Sequence, residues 1–529
     1  MTGQVTALPS PARHLPESVQ PGADGVVTAD IVIIGAGMGG ATLAWGLRGS
    51  GADVLVIDRG DFLPREWENW SPEAVFERGR YKNAEAWYGS DGSEFYPGNY
   101  YYIGGNTKLY GAMLPRFREQ DFGVIEHHGG LSPAWPVSYA QMEPFYAEAE
   151  RLYLVHGEPG TDPTEPWRSS PYPHPALPHE PAIAALAESF RRQGLHPFSM
   201  PAAVDLRPGG RCVRCRTCDG YPCMVDAKAD ADICAIRPLA ASGQIRLLTN
   251  AVISALVTTA DGKAVAEASG RRHGQPVTVR AEKFVLAAGA VNSAALLLRS
   301  GSEHHPDGLG NSSGLLGRNY MVHNSTFFVA ADPRRRNRTR FQKTLAINDW
   351  YLPSAGRKYP LGNVQMLGKL LAPMVSGARP HIPASVLRTV TDHSIDLYLT
   401  TEDLPERGNR VEVNRLGQIV VHWTPNNTAP HEELVRLTTK AVRQAGYPLV
   451  LAERMGIATN SHQCGTAVMG DDPARSVLDS TCRSHDVANL WVVDSACFPS
   501  SAAVNPALTI AANALRVAAE GTIAGSPSR

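Results

Sequence analysis

The chain lacks a charge imbalance, an export signal and an uninterrupted apolar segment, and each absence narrows its possible functions. It carries 50 basic and 51 acidic residues, which leaves a net charge of -1. No electrostatic field therefore favours nucleic acid or an anionic membrane surface. We expect partners that are small and uncharged, with no nucleic-acid partner.

The first 29 residues contain neither an apolar core typical of secretory signals nor paired arginines. The longest apolar stretch, Ile31 to Leu47, is interrupted by five glycines, which favours a strand, a turn and a helix over a membrane span. We therefore expect a soluble, cytoplasmic protein with no membrane partner and a flexible N-terminal tail.

The chain is long and rich in apolar residues. With 529 residues and 43% hydrophobic content, it can bury a large core, and its length predicts roughly two to four domains. A small disulfide-stabilised scaffold is excluded. Eight cysteines are present, and four of them lie between Cys212 and Cys223.

A glycine pattern near the N-terminus predicts a dinucleotide site. An apolar run, Ile31 to Ile34, leads into Gly35, Gly37 and Gly40 and then into a helical pattern. Gly35 permits a tight turn, Gly37 allows a pyrophosphate to approach the backbone, and Gly40 allows the helix to pack on the sheet. Asp58, after a second strand, can bind an adenosine ribose. The motif does not distinguish FAD from NAD, and a turn without a ligand is the structural alternative.

Other segments continue this pattern. Residues 245–259 read as a strand pair, residues 282–301 as a strand, a turn and a helix, and residues 101–117 as a glycine-rich loop suited to pack against a flat ring. The last segment predicts a strand ending at Asp494, a Pro/Ser loop, and a helix beginning at Pro506.

From the glycine fingerprint through "GGNTKLYGAM" to "HQCGTAVMG" and "VNPALT", the chain resembles the glucose-methanol-choline (GMC) flavoprotein oxidoreductases. The segments "AWPVSYAQMEPFYAEAERLY" and "CVRCRTCDGYPCMVDAKADADICAIRP" are most similar to bacterial pyranose oxidases and glycoside 3-oxidases. The resemblance implies an α/β fold with FAD on a Rossmann-like, doubly wound parallel sheet. It also implies oxidation of an alcohol by hydride transfer to flavin N5.

The resemblance places the family's active-site histidine on His462 and its second polar residue on Asn505. A neutral imidazole can take the hydroxyl proton, and Asn505 can donate its amide to the same oxygen. Because Asn505 precedes Pro506, we expect it at the N-cap of the last helix with Pro506 at the first helical position. The alternatives are a structural core histidine and an asparagine that only caps its helix.

The resemblance implies further cofactor contacts. They are Met38 and Gly39 in the phosphate loop, Thr107, Gly111, Ala112 and Met113 against the isoalloxazine, Val252 beside adenine, and Asp494 near the phosphate or ribityl chain. Some pyranose oxidases attach FAD covalently through a histidine in the loop after the paired glycines, but Leu109 stands at about that place. We therefore predict non-covalent FAD.

The cysteine run has two interpretations. Cys212, Cys215, Cys218 and Cys223 are spaced as C-x2-C-x2-C-x4-C, a pattern that suits zinc or an iron–sulfur cluster in part. However, no proline follows the fourth cysteine, and zinc sites usually divide their ligands into two separated pairs. We expect free thiols and no metal.

The domain organisation is expected to be discontinuous. After a flexible tail (1–27), we assign residues 28–122, 202–318 and 456–525 to the FAD-binding domain. Residues 123–201 and 319–455 form the substrate-binding domain, built on helices and an antiparallel sheet with one solvated face that includes "SIDLYLTTE", "NRVEVNR" and "QIVVHW". The basic run from Asp332 to Lys343 reads as a solvated loop, and residues 349–393 read as a lid or an oligomer contact.

The sequence thus predicts FAD-dependent oxidation of a secondary hydroxyl on a sugar or glycoside, with oxygen or a quinone as acceptor. Three rivals remain: a GMC enzyme for a sterol or polyol, a non-catalytic flavin-binding scaffold, and a metal-centred electron carrier that uses the cysteine run.

Overall fold

The computed structural model describes residues 15–376, 379, 381–520 and 523–524. The strands are β1 Val26–Ile34, β2 Val54–Ile57, β3 Trp87–Gly89, β4 Glu94–Phe95, β5 Ile125–His127, β6 Gly130–Ser132, β7 His156–Gly157, β8 His174–Pro175, β9 Phe198–Ser199, β10 Arg246–Leu248, β11 Ala251–Thr258, β12 Val265–Arg272, β13 Gln275–Leu286, β14 Asn324–Ala331, β15 Leu345–Ile347, β16 Asn363–Met366, β17 Ser394–Thr401, β18 Arg410–Val413, β19 Ile419–His422, β20 Leu449–Arg454 and β21 Leu490–Val492. The helices are α1 Met38–Gly46, α2 Tyr139–Leu152, α3 Pro181–Arg192, α4 Arg237–Ala241, α5 Ala290–Arg299, α6 Ala372–Ser376, α7 Ala384–Asp392, α8 Thr428–Gln444 and α9 Ala507–Ala519.

The central sheet has the order β10-β2-β1-β13-β12-β11, with β21 also paired to β13. Strands β10, β2, β1, β13 and β21 pair in parallel, whereas β11 and β12 are antiparallel additions at one side. Strand β2 is buried along its whole length, as expected for a parallel strand covered on both faces. The predicted Rossmann-like fold is confirmed.

The second large sheet has the order β20-β14-β17-β16-β15-β9 and is antiparallel throughout. One face packs against apolar residues of α3 and α8. On the other face, Phe327 of β14 and Tyr398 of β17 are paired in register and line a cavity. The prediction of one solvated face is wrong for β17, because its eight residues are buried or nearly so.

The segments "NRVEVNR" and "QIVVHW" do not join that sheet. They form β18 and β19, which lie in a separate sheet of order β18-β19-β3-β4, and β19 pairs in parallel with β3. Val411 and Val421 pack with Trp87 and with Val291 of α5. The alternating pattern predicted the strands correctly but did not specify their partner, because apolar contacts with α5 decide which sheet they join.

Two other expectations need correction. Part of the predicted tail is attached to the sheet, since Val19 donates to the Leu247 carbonyl of β10 at 2.7 Å. Residues 1–14, and residues 521, 522 and 525 of the predicted FAD domain, lie outside the described residues. The segment 349–393, of which 377, 378 and 380 are not described, was expected to be a lid or an oligomer contact, but it contains the buried strand β16.

Among the described residues, no helix combines the length and apolar character that a membrane crossing requires.

Candidate active site

A cavity of about 550 Å³ extends from the ends of β1 and β2 to the inner face of the antiparallel sheet. Apart from Gly40, all the residues predicted for the site line this cavity. They are Gly35, Gly37, Met38, Gly39, Asp58, Thr107, Gly111, Ala112, Met113, Val252, Asp494, His462 and Asn505. The cavity therefore connects the nucleotide motif with the pair of residues proposed for catalysis.

The turn between β1 and α1 has the shape that the glycine pattern predicts. Gly35 adopts a φ of 112°, which side-chain-bearing residues rarely take. A Cβ on Gly37 would meet no protein atom within 4 Å, so this residue opens directly onto the cavity. Gly40 does not line the cavity, because its Cβ position is taken by the Gly35 carbonyl and by Ile33. Its contribution is close packing of α1 on the sheet.

Two buried carboxylates organise the nucleotide end. Asp58 accepts from the backbone N–H groups of Ala36 and Gly60, both at 2.9 Å. Asp494 accepts from the Gly289 N–H at 2.9 Å and the Ser293 hydroxyl at 2.6 Å, and it also caps the turn that follows it. Burial raises the pKa of both carboxyl groups, and these hydrogen bonds oppose the rise. Both residues therefore hold cavity loops in place while keeping acceptor positions free.

The cavity fits FAD by the chemistry of its walls. Among the described residues, α1 has no side-chain N-cap, so its first N–H groups are available to phosphate oxygens. Val252 lies at the start of β11, where an adenine would pass. Thr107 does not offer its hydroxyl, which donates to Gly104 and accepts from the Ala231 N–H. The contact at Thr107 would therefore come from its methyl group or backbone.

A second histidine, His323, fixes the protonation pattern of His462. His323 Nε2 lies 3.0 Å from the Ser501 carbonyl, and His323 Nδ1 lies 3.0 Å from His462 Nδ1. A carbonyl only accepts, so His323 carries its proton on Nε2. Burial lowers the pKa of His323, so the ring is neutral and its Nδ1 is an acceptor. His462 must then donate from Nδ1, which leaves its Nε2 unprotonated. The hydrogen-bond network thus assigns His462 as a neutral base.

Backbone geometry also indicates that surrounding contacts fix the conformation of His323. Its φ of 61° lies in the left-handed region, as does the φ of 53° at Ala502, next to its partner Ser501. Such residues cost roughly 1–3 kcal/mol each and persist where surrounding contacts dictate the conformation. His323 is 1% exposed. No sequence pattern indicates a role for His323, because the residue stands directly before β14 and belongs to no motif.

Asn505 is oriented by a chain of buried amides. Asn348 donates to Asp162 at 2.8 Å, Asn363 to Asn348 at 2.8 Å, and Gln365 to both Asn363 at 3.0 Å and Asn505 Oδ1 at 2.9 Å. Because a carboxylate only accepts, Asp162 sets the direction of the whole chain. Asn505 must therefore accept through Oδ1, and its Nδ2 has no protein partner among the described residues.

The expected capping role of Asn505 is wrong by one position. The first helical hydrogen bond of α9 runs from the Ile510 N–H to the Pro506 carbonyl, so Pro506 is the N-cap and α9 begins at Ala507. The Asn505 side chain does not cap the helix, because Gln365 occupies its oxygen. Its amide therefore remains available.

An ion pair that the sequence did not reveal lies near His462. Lys343 Nζ contacts Asp219 Oδ2 at 2.7 Å, and both residues line the cavity. Lys343 ends the basic run predicted as a solvated loop, and that prediction is wrong for this residue, which is 5% exposed. Arg334, Arg335 and Arg336 in the same run are exposed as expected.

The cysteine run forms the loop that carries Asp219. All four thiols are free, and no group of three or more His, Cys, Asp or Glu side chains suited to a metal occurs in the described part of the chain. Burial raises the pKa of Cys212 to about 11 and that of Cys218 to about 12, so these thiols stay protonated at neutral pH. The buried Lys228 donates to the carbonyls of Tyr110, Cys218 and Tyr221, which fixes the loop.

Fold and site together define a Rossmann-type, dinucleotide-dependent oxidoreductase with a separate antiparallel sheet over its active end. Models of the GMC oxidoreductase family match residues 174–325 and 413–514, and a model of NAD(P)-binding Rossmann-like domains matches residues 33–77. The chain belongs to the GMC oxidoreductase family. Its cofactor is FAD.

Characterised relatives cover almost the full chain. Paromamine 6'-oxidase of Streptomyces fradiae is 32% identical over 97% of this chain and 96% of its own length. The 6'''-hydroxyparomomycin C oxidase of Streptomyces lividus is 30% identical over 92% of this chain and 90% of its own. The fructose dehydrogenase large subunit of Gluconobacter japonicus is 28% identical over 93% and 97%.

Solved structures share the fold at lower identity. Pyridoxine 4-oxidase from Mesorbium loti matches with a TM-score of 0.64 and 20% identity over 93% of this chain and 98% of its own. A formate oxidase variant of Aspergillus oryzae matches with a TM-score of 0.66 and 14% identity over 94% and 98%. These similarities support the architecture alone.

Proposed function

We propose that this enzyme oxidises a secondary hydroxyl of a sugar or glycoside to a ketone, as pyranose 2- or 3-oxidases do. The observation that carries the proposal is that His462 and Asn505 line the same cavity, each with one free polar group. The sugar-like substrates in the names of three relatives support the substrate class. When bound at the glycine turn, FAD would supply the acceptor for the hydride of the carbinol carbon and the route of the electrons to oxygen or a quinone.

The protein's contribution is to remove and place one proton. His462 Nε2 takes the proton of the substrate hydroxyl as the carbinol carbon loses its hydride, and Asn505 Nδ2 donates to the same oxygen. The resulting imidazolium is stabilised because its Nδ1–H already points at His323 Nδ1.

The proposal includes the domain division, with residues 28–122, 202–318 and 456–525 holding FAD and residues 123–201 and 319–455 forming the substrate side. Phe327 and Tyr398 come from the second group and contribute apolar walls near His462. Residues 410–422 pack on α5 of the first group, so the two groups share a hydrophobic core there.

Anaerobic reduction by a panel of alcohols tests the function. We expect pyranoses or glycosides to bleach the flavin under nitrogen, with a keto-sugar as product. Reduction by sterols or simple polyols alone would favour a different GMC alcohol oxidation. If no alcohol reduces the flavin, the protein is a non-catalytic flavin scaffold and the proposal fails.

His462 is expected to act as a base well below neutral pH. Burial is the largest cause that lowers the pKa of His462 well below 6.5, and the neighbouring His323 and Lys343 lower it further. Because the base must be unprotonated, the rate constant of flavin reduction should stay level as the pH falls through 6.5 and decline only at more acid pH. Stopped-flow reduction across pH measures this, and an inflection at or above 6.5 would contradict it.

His323 is expected to be a positioning residue for His462. His323→Leu removes both hydrogen bonds and frees the imidazole to turn, which should slow flavin reduction by up to roughly 100-fold. His323→Gln keeps one donor and one acceptor and should restore most of the rate. Binding of the same sugar to the reduced enzyme should change little in either variant. Equal losses in both variants, or weakened binding instead of slowed reduction, would indicate a merely structural role.

A further inference from the structure

We propose that Asp219 and Lys343 form a clamp for a second hydroxyl of the substrate, next to the one that is oxidised, and so select neutral vicinal polyols. The inference rests on the proposed function and specifies its substrate. It assigns a role to the cysteine loop and to the end of the basic run, the two sequence features that the cofactor site does not use.

The ion pair leaves hydrogen-bonding groups free towards the cavity. Asp219 Oδ2 accepts from Lys343 Nζ at 2.7 Å and from the Gly368 N–H at 3.1 Å. Asp219 Oδ1 and the other two Nζ–H groups of Lys343 have no partner within the described residues. The side chains are 18% and 6% exposed, and both residues line the cavity. One free acceptor therefore stands beside free donors.

Two glycines make room for this pair. A Cβ on Gly111 would collide with Lys343 Nζ, and a Cβ on Gly368 would collide with the Asp219 side chain. Gly111 belongs to the loop expected against the isoalloxazine ring. The clamp therefore lies over the cofactor loop and is held from four separate parts of the chain.

The clamp also lies within electrostatic range of the proposed base. Lys343 and Asp219 are the charged residues that act on the pKa of His462. His323 is buried behind His462, so the ion pair supplies the charged groups on the cavity side. Burial would raise the pKa of Asp219, but Lys343 and the Gly368 N–H hold it below its usual value. The pair thus consists of a carboxylate and an ammonium group, and its net charge is zero.

This arrangement matches the chemistry of a vicinal diol. A hydroxyl can donate to Asp219 Oδ1 and accept from Lys343 Nζ at once, while the neighbouring hydroxyl reaches His462 and Asn505. Phe327, Leu367 and Tyr398 line the same region and can contact the C–H groups of a ring. A cationic amino group in the place of that hydroxyl would face Lys343, and an anionic group would face Asp219. Neutral polyols fit best.

A substrate-by-variant cycle on the holoenzyme tests the clamp. The probes are trans-1,2-cyclohexanediol, which has a neighbouring hydroxyl, and cyclohexanol, which lacks it. A hydrogen bond to a charged group predicts that the wild-type preference for the diol in kcat/KM falls roughly 10- to 100-fold in Asp219→Asn and Lys343→Met. The ratio is internal to each variant, so partial folding or partial flavin loading does not affect it.

Asp205→Asn is the matched control, because Asp205 is a buried carboxylate of the same loop that pairs with Arg207 and does not line the cavity. Its diol preference should equal that of the wild type. D-glucose should also reduce the wild type faster than D-glucosamine, and Lys343→Met should narrow that difference. An unchanged diol preference in both clamp variants, or a wild-type preference for glucosamine, would overturn the inference.

Calorimetry separates this inference from the proposed function. The diol is titrated into the fully reduced holoenzyme under nitrogen, where no turnover is possible. If no alcohol reduces the wild-type flavin, the proposed function fails, but weaker diol binding in the clamp variants would still support the clamp. If the wild type is reduced and diol binding is the same in every variant, the clamp fails and the function stands.

Discussion

Replacing His462 by Ala is expected to slow reduction of the flavin by substrate by roughly two to four orders of magnitude, the range for a positioned base. The assigned hydrogen-bond pattern leaves His462 Nε2 as the free acceptor, and among the described residues that line the cavity no other histidine occurs. Because the predicted FAD contacts do not include His462, the FAD stoichiometry should be unchanged. Anaerobic stopped-flow spectroscopy measures the rate.

Two further measurements separate catalysis from folding. Added imidazole should partly restore the rate of His462→Ala, since it can occupy the vacated space. His431→Ala is the matched control, because His431 is another buried histidine, with a pKa lowered to about 3, that bonds to Thr326 and Thr401 and does not line the cavity. That variant should lose stability and keep its reduction rate. A wild-type rate in His462→Ala would remove this residue from the mechanism.

Local sequence patterns predicted much of the fold. The turn from β1 into α1 could be predicted because Gly35, Gly37 and Gly40 have roles set within one strand–turn–helix unit. The strand predicted to end at Asp494 ends at Val492, and the helix predicted to begin at Pro506 begins at Ala507, so turn residues placed both boundaries to within two positions. In each case the determining contacts lie within a few residues along the chain.

Features that depend on contacts between distant parts of the chain could not be predicted from the sequence. Lys343 follows five arginines along the chain, but it belongs to a buried segment that leads into β15. Asp219 lies among the four cysteines. Their spacing suggests a metal site and does not indicate that this loop places a carboxylate in the cavity. The pairing of β19 with β3 depends on the surface of α5, more than 100 positions away.

The amide chain behind Asn505 illustrates the same limit. Asp162, Asn348, Asn363 and Gln365 look like scattered polar residues, and nothing in their spacing links them. Their order follows from the antiparallel sheet, which brings β16 next to the loop before α9. The free amide of Asn505 is therefore a property of the assembled fold.

Gly37→Val is expected to yield a folded protein that has lost most of its FAD. Gly37 has a φ of -76° and a ψ of -165°, which valine tolerates, and its Cβ would meet no protein atom within 4 Å. The added side chain would instead occupy the space that a pyrophosphate needs beside the N-terminus of α1. Overpacking of about 1–3 kcal/mol corresponds to roughly 5- to 150-fold weaker binding. The flavin absorbance per protein, together with circular dichroism, measures both parts of the expectation.

Two other glycines provide the comparison for Gly37→Val. Gly408→Val, at a position that is also open but outside the cavity, should keep both the fold and the flavin. Gly40→Val should prevent native folding, because the side chain would collide with the Gly35 carbonyl inside the same unit. Full FAD content in Gly37→Val would mean that the pyrophosphate does not cross this turn, and the placement of the cofactor along the cavity would have to be abandoned.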